Sequence, residues 1–310
     1  MADRIIEQMF VEPMVADLLE KAAIVALLRQ KELGWNRVAV TVEETGSAVS
    51  VLQKLQDTEQ LNLLDDHAGA RLDELKSISR EIAAWEREGM HLITVLDSAY
   101  PENLRTVHDR PPVLFVRGGL LSGDSRSVAV VSTRQPSPQG LAQADDAAAK
   151  FTDAGFTVVS GLAAGVDSAA HRGALKAGGR TLAVIGTGLR KSYPKENAEL
   201  QQQLCDETAV ISQFWPDQPP GRHTFPMRNA VMSGFALATF VIEASYTSGA
   251  RMQARLALEH GRPVFLQSTL LEHSWAREYA EMPGTYIVES ADEVVSHLDR
   301  LYAPDVALTT

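Results

Sequence analysis

With 310 residues, 45% hydrophobic and 22% charged, the chain is long enough for one large domain or two modest ones and apolar enough for a real core. A net charge of −11 excludes a generally basic coat for nucleic acid, but residues 1–125 carry 21 acidic against 13 basic side chains, so an anion-binding face belongs in the nearly balanced remainder. The single cysteine, Cys205, excludes an intramolecular disulfide and a cysteine-based zinc site, and charges at Asp3, Arg4 and Glu7 together with the lack of any run of about 18 apolar residues make a cytoplasmic protein with no membrane span the expectation.

The first part reads as helices. Residues 5–30 are apolar at helical spacing, and 36–56 continue that pattern across a break at Gly46-Ser47. Residues 61–69 form a polar linker, and 72–88 an amphipathic helix stopped by Gly89. Short strands follow at 91–95 and 113–116, with a turn at Asp97–Pro101. From Ser127 onward, strands at 128–132, 157–160, 181–185, 209–212, 238–242 and 263–266 alternate with helices at 137–153, 167–177, 195–206, 226–235 and 248–260. A final helix covers 289–301. Continuous apolar strands between helices predict a mostly parallel sheet covered on both faces. The fold class is therefore α/β: an α/β domain over 70–310, preceded by a small all-helical domain over 1–65.

One stretch organises the second part: the strand 157–160, then Ser160-Gly161-Leu-Ala-Ala-Gly165, then a helix carrying Asp167 and His171. A strand, a glycine turn and a helix N-terminus turn backbone N–H groups toward an anion, and glycines at 161 and 165 allow positive φ and a close phosphate. The same turn can equally be a ligand-free crossover. Ligands of parallel sheets bind beyond the carboxyl ends of the strands. The loops there hold Arg134, Arg190, Lys191, Arg222, Phe225, Arg228, Asn229, Ser248, Gly249 and Arg251, with few carboxylates, chiefly Glu243. Arginines, hydroxyls and aromatics in one place suit a phosphate backbone with stacked bases.

These pieces resemble one family. Tyr100-Pro101 with Asn103-Leu104, Pro111-Pro112 through Gly118, Thr133-Arg134, Ser160-Gly161 through His171, Tyr193-Pro194, Phe225-Pro-Met-Arg228-Asn229, and Glu243-Ala244 with Ser248-Gly249 stand in the order and spacing of the DprA/Smf family of DNA-processing proteins. Residues 20–56 are similar to the small helical (SAM or helix–hairpin–helix-like) domain that often precedes that core. The resemblance implies an extended Rossmann-like domain that binds single-stranded DNA, forms a homodimer and hands the strand to the RecA recombinase, in DNA uptake, transformation or recombination. It implies no enzyme and no cofactor. Carried over, Arg134, Ser160, Gly161, Phe225, Arg228, Ser248 and Gly249 line the strand-binding pocket.

The chain also departs from the family. Ser132 stands for a glycine, Gln213 for a glutamate, Ala230 for a second arginine and Asn36 for a hairpin glycine. Gln267-Ser-Thr-Leu replaces a Pro-Gly turn, the Gly-x-Asn segment after it is missing, and no winged-helix segment follows residue 301. These differences mark a divergent member for which DNA binding is better founded than delivery to RecA.

Other chemistry finds little support. No Gly-rich loop leads into Lys-Ser or Lys-Thr, and Gly186-Thr-Gly188 lacks the third glycine of a dinucleotide fingerprint. The main alternative is a nucleotide sensor or phosphoribohydrolase of the same superfamily, but the loop that carries the hydrolase glutamate reads Ala244 to Met252 with no carboxylate. A protein adaptor using the acidic region 1–80 is a third reading. Asp167 and His171, four residues apart, read as loop-capping residues rather than a metal or acid–base pair, and Glu243 as the anchor of a loop. Pro226 at a first helical position places Phe225 at the N-cap and Arg228 in the first turn, both free to be replaced without loss of folding. Apolar segments such as Tyr286-Ile-Val288 are candidates for packing on a partner.

Overall fold

A computed structural model describes residues 2–30, 33–59 and 67–302. The chain packs as two compact units, Met1–Tyr100 with His108–Val116, and Pro101–Val107 with Arg117–Thr310.

The first unit holds α1 (Ala2–Gln30), α2 (Trp35–Thr45), α3 (Ala48–Glu59), α4 (His67–Arg87) and two neighbouring strands, β1 (Met90–Thr94) and β2 (Val113–Gly118). Gly46 ends α2 in a left-handed conformation at φ 72°, as the Gly46-Ser47 break predicts. Ala22 through Leu28 and Val38, Ala39, Val42, Val51 and Leu52 form its buried face. Residues 61–66 of the predicted linker lie outside the described residues, and 67–69 already belong to α4.

The second unit begins with the short α5 (Glu102–Arg105) and continues as β3 (Ser127–Val131), α6 (Pro138–Asp153), β4 (Thr157–Ser160), α7 (Val166–Lys176), β5 (Thr181–Val184), α8 (Ala198–Glu207) and β6 (Ala209–Ser212). It closes with α9 (Thr224–Phe235), β7 (Ala238–Val241), α10 (Gly249–Glu259), β8 (Val264–Gln267), α11 (Ser274–Ala280), β9 (Thr285–Val288) and α12 (Ala291–Leu301). Its strands run β6-β5-β4-β3-β7-β8-β9, with parallel pairing at every step from β6 to β9. β3 through β8 are buried along their whole length, which is why their sequences are continuous apolar runs without alternation. The helices α6 and α7 meet through Ala144, Ala147 and Ala148, and a side chain at Gly173 would approach Ala148 Cβ to 3.1 Å. Small residues let these two helices lie close on the sheet.

Three elements were not legible. α5 and α11 were absent from the sequence reading, and β9 is formed by the segment 285–288, read there only as a candidate for packing on a partner. That segment is apolar because it extends the sheet beside β8, where Tyr286 stacks on Phe265 at 5.3 Å.

Candidate functional site

The strand order reverses between β3 and β7: the chain moves outward from β3 through β4, β5 and β6, then returns to the other side of β3. Crevices form where successive connections leave in opposite directions. Here the loops after β3 and β7 and the starts of α9 and α10 surround a cavity of about 550 Å³. Arg134 and Gln135 come from the first loop, Thr247 and Ser248 from the second, and Phe225, Arg228 and Asn229 from α9.

The walls are fixed from behind. Glu243 accepts the backbone N–H of Ser137 at 3.0 Å and its hydroxyl at 2.5 Å, while Ser137 Oγ accepts Gly140 N–H and caps α6. Glu243 is thus a loop anchor, but of the loop after β3 that leads into α6 and not of the glycine loop beside it that the sequence suggested. Ser248 caps α10 by accepting from Ala250 N–H, and Asn229 Nδ2 donates to Gly249 O at 3.2 Å, tying α9 to the start of α10.

The helix α9 begins earlier than expected. It starts at Thr224 with His223 as its N-cap, and Thr224 Oγ1 donates to Gly221 O. Pro226 is therefore the third helical residue. That position is open to proline because the first four N–H groups of a helix have no partner within it. Phe225 is the second residue, and Arg228 lies beyond the first turn.

Arg228 is buried. Its Nη1 donates to Val184 O at 3.1 Å, and its Nε has no hydrogen-bond partner. The guanidinium occupies the space a side chain at Gly161 would take, since a Cβ there would lie 1.3 Å from Nη1. Gly161 is needed for this close approach and not for its backbone conformation; the left-handed residue of the loop is Leu162, at φ 57°. Gly165 does have a positive φ of 88° and forms the N-cap of α7.

The amide cradle expected at this loop is filled by the protein itself. Asp167 Oδ2 accepts the N–H groups of Gly161 at 3.2 Å and Ala163 at 3.3 Å. Burial raises the Asp167 carboxyl above its usual value, and the Arg228 charge opposes that rise. Burial likewise lowers Arg228, with Asp167 opposing. The opposite charges offset part of the burial of each, and both residues line the cavity. His171 is not part of it. Thr181 Oγ1 donates to Val158 O, so it accepts from His171 Nδ1–H at 2.7 Å. Burial lowers His171 to about 3 and keeps it neutral.

The ring of Phe225 stands between this cavity and a smaller one of about 180 Å³ that includes Gly161, Gly186, Tyr193 and Pro194. The Tyr193 ring lies 5.7 Å from Phe225, and the Arg134 guanidinium lies 5.1 Å from the same ring.

Of the residues named from sequence, Arg134, Phe225, Arg228, Asn229, Ser248 and Gly249 meet at the large cavity, and Gly161 at the small one. The others lie elsewhere. Ser160 is fully buried and spends its hydroxyl on Val130 O at 2.7 Å. Gly165 shapes the loop but lines neither cavity, and Arg222 is exposed outside both. Arg190 and Lys191 face Asp217, at 2.5 and 3.8 Å. Arg251 belongs to a separate hollow with Tyr246. The sequence reading missed Gln135, Thr247 and Gln253 as wall residues. They carry no charge or ring to single them out, and only their places after β3, after β7 and on α10 could have marked them.

The family described as DNA recombination-mediator protein A matches residues 91–300. The chain belongs to this family. Among DprA/Smf relatives, it is 34% identical over 189 residues to DNA processing protein DprA of Bacillus subtilis, spanning 61% of this chain and 64% of that one. It is 36% identical over 208 residues to DNA processing protein DprA of Streptococcus pneumoniae, spanning 66% and 73%. The match to protein Smf of Escherichia coli is 38% over 191 residues, 61% of this chain and 51% of the relative. In three dimensions the X-ray structure of DprA from Streptococcus pneumoniae superposes with a TM-score of 0.64 at 29% identity, over 90% of this chain and 95% of that one. The Helicobacter pylori DNA processing protein A, whose structure is described by its single-stranded DNA binding mode, shares the fold at a TM-score of 0.60 and 24% identity, over 68% and 97%. The chain thus shares the DprA fold. Among the described residues no helix is long and apolar enough to cross a membrane.

Proposed function

We propose that this protein binds single-stranded DNA at the large cavity and performs no chemistry on it. The observation that carries this reading is the meeting of the Phe225 ring with Arg134 and Arg228 at the switch point of the sheet. The Phe225 ring with the Arg134 guanidinium beside it is what a splayed base and its phosphate need, while the buried Arg228 holds the wall behind them. The carboxylates of the site have other work: Asp167 holds two backbone N–H groups, and Glu243 holds the start of α6. Both carboxylates are engaged with backbone N–H groups, which supports a binder rather than a hydrolase. Membership of the DprA/Smf family supports the rest of the reading: a cytoplasmic homodimer that protects strands and delivers them to RecA during DNA uptake or recombination.

In a fluorescence titration a thymidine oligomer should bind more tightly than a blunt duplex of equal length, and log K should fall linearly with log salt. Phe225→Ala should cost about 1–3 kcal/mol of strand affinity, the usual worth of a base stacked on an aromatic ring. Phe225 is only half-buried, so this variant should melt like the parent. Equal affinity for duplex and strand, or an unchanged Phe225→Ala, defeats the reading. Tighter binding of thymidine monophosphate than of the oligomer reassigns the cavity to a nucleotide sensor.

A further inference from the structure

The large cavity has a neighbour. Thr247 and Ser248 line it on one side and, on the other, line a hollow of about 280 Å³ that holds Tyr246, Arg251, Arg255 and Tyr279. Tyr246 is 63% exposed, unusual for so large a ring. The Arg251 guanidinium lies 4.0 Å over that ring and 5.8 Å from the ring of Tyr279. Its Nη1 donates to Tyr246 O at 3.1 Å, and its buried Nε has no partner. No carboxylate lines the hollow; Glu259, one turn beyond Arg255, is turned to Arg255 at 2.6 Å.

An exposed ring with a cation held against it is the chemistry of the first cavity repeated, and one short wall of chain separates the two. We propose that the hollow is a second nucleotide subsite, in which the base next to the one at Phe225 stacks on Tyr246 and its phosphate meets Arg251. The strand then crosses the rim formed by Thr247 and Ser248. This extends the strand-binding reading and rests on it. An acidic peptide would suit Arg251 and Arg255 but would leave the exposed ring unexplained, so the nucleotide is the occupant the hollow favours.

The test uses the full chain, thymidine monophosphate and a thymidine strand of ten nucleotides, and the variants Tyr246→Ala, Arg251→Gln and Phe225→Ala. The monophosphate reports the first cavity, and the ten-nucleotide ligand both. Tyr246→Ala should weaken the ten-nucleotide ligand about fivefold or more and leave the monophosphate unchanged. Arg251→Gln should lower the salt slope of the longer ligand by about one contact. Phe225→Ala should weaken both ligands. If Tyr246→Ala binds the longer ligand like the parent while Phe225→Ala does not, the second subsite is wrong and the first cavity stands. If Tyr246→Ala weakens both ligands equally, the ring acts only through the Thr247–Ser248 wall, and the subsite is again wrong. If Phe225→Ala also binds like the parent, strand binding at this face fails altogether. Should Arg251→Gln melt early, Tyr246→Ala alone decides, because its ring is exposed.

Discussion

Arg228→Ala should lose about 3–5 kcal/mol of unfolding free energy in a urea melt, as expected when one partner of a buried charge pair is removed. The sequence suggested a pocket-lining arginine whose loss the fold would survive. In the structure Arg228 is 7% exposed, and its positive charge offsets part of the burial of Asp167. Without it, Asp167 keeps two backbone N–H bonds but no compensating charge, and the space beneath Gly161 is left empty. Removing both charges is the decisive control. Asp167→Asn with Arg228→Gln should recover a large part of the loss, giving a coupling well above the error of a double-mutant cycle. A melt of Arg228→Ala within about 1 kcal/mol of the parent overturns the claim that the pair supports the fold. It follows that weaker DNA binding by Arg228→Ala says little about phosphate contacts until its folding is accounted for.

The second large effect is a pH dependence set by His171. In the folded chain its imidazole stays neutral down to about pH 3, held there first by burial and then by the charges of Arg172 and Arg228. In the unfolded chain it takes up a proton near pH 6.5. Between those values the unfolded state binds more protons, so stability falls as pH falls. The loss is about 1.4 kcal/mol per pH unit and roughly 5 kcal/mol across the whole window. Asp167, raised by burial, has the opposite sign, so the quantity to measure is the difference between the parent and His171→Gln. At pH 7 the parent should be the more stable, because the variant disturbs the bond to Thr181. That advantage should shrink steadily from pH 6.5 to 4.5. A difference independent of pH over that range would show that His171 is protonated in the folded protein.

Much of this architecture could be read from residues alone. The strands from β3 to β8 were visible because a strand buried on both faces has no reason to alternate, and Ser248 and Gly165 announced helix starts through their residue types. β9 was missed as a strand because an apolar edge strand and an apolar contact surface look the same in one dimension. The site was legible where a side chain's chemistry matched its place, as for Phe225, Arg134 and Asn229. It was not legible where burial decided. Arg228 directly follows the exposed Met227, and Ser160 lies five residues from the exposed Gly155, yet one shapes the wall from behind and the other is wholly internal. The expected phosphate cradle failed for a related reason: spacing shows that Asp167 can reach back to the loop, but not that it takes the very N–H groups an anion would need.

The surroundings of Phe225 carry one more consequence. Its ring has a cation 5.1 Å from its centre and a tyrosine ring at 5.7 Å, both supplied by the same chain. The free protein is therefore its own competitor. On the strand-binding reading, a base reaches this ring only by exchanging with the guanidinium of Arg134 or the ring of Tyr193, and the measured affinity is the difference between two stacks rather than the strength of one. Arg134 then has opposed effects on the same equilibrium: it draws the phosphates in and guards the surface on which the base must settle. Such a site discriminates against ligands that bring charge without a flat base, because they can recruit the arginine but gain nothing from the ring it uncovers.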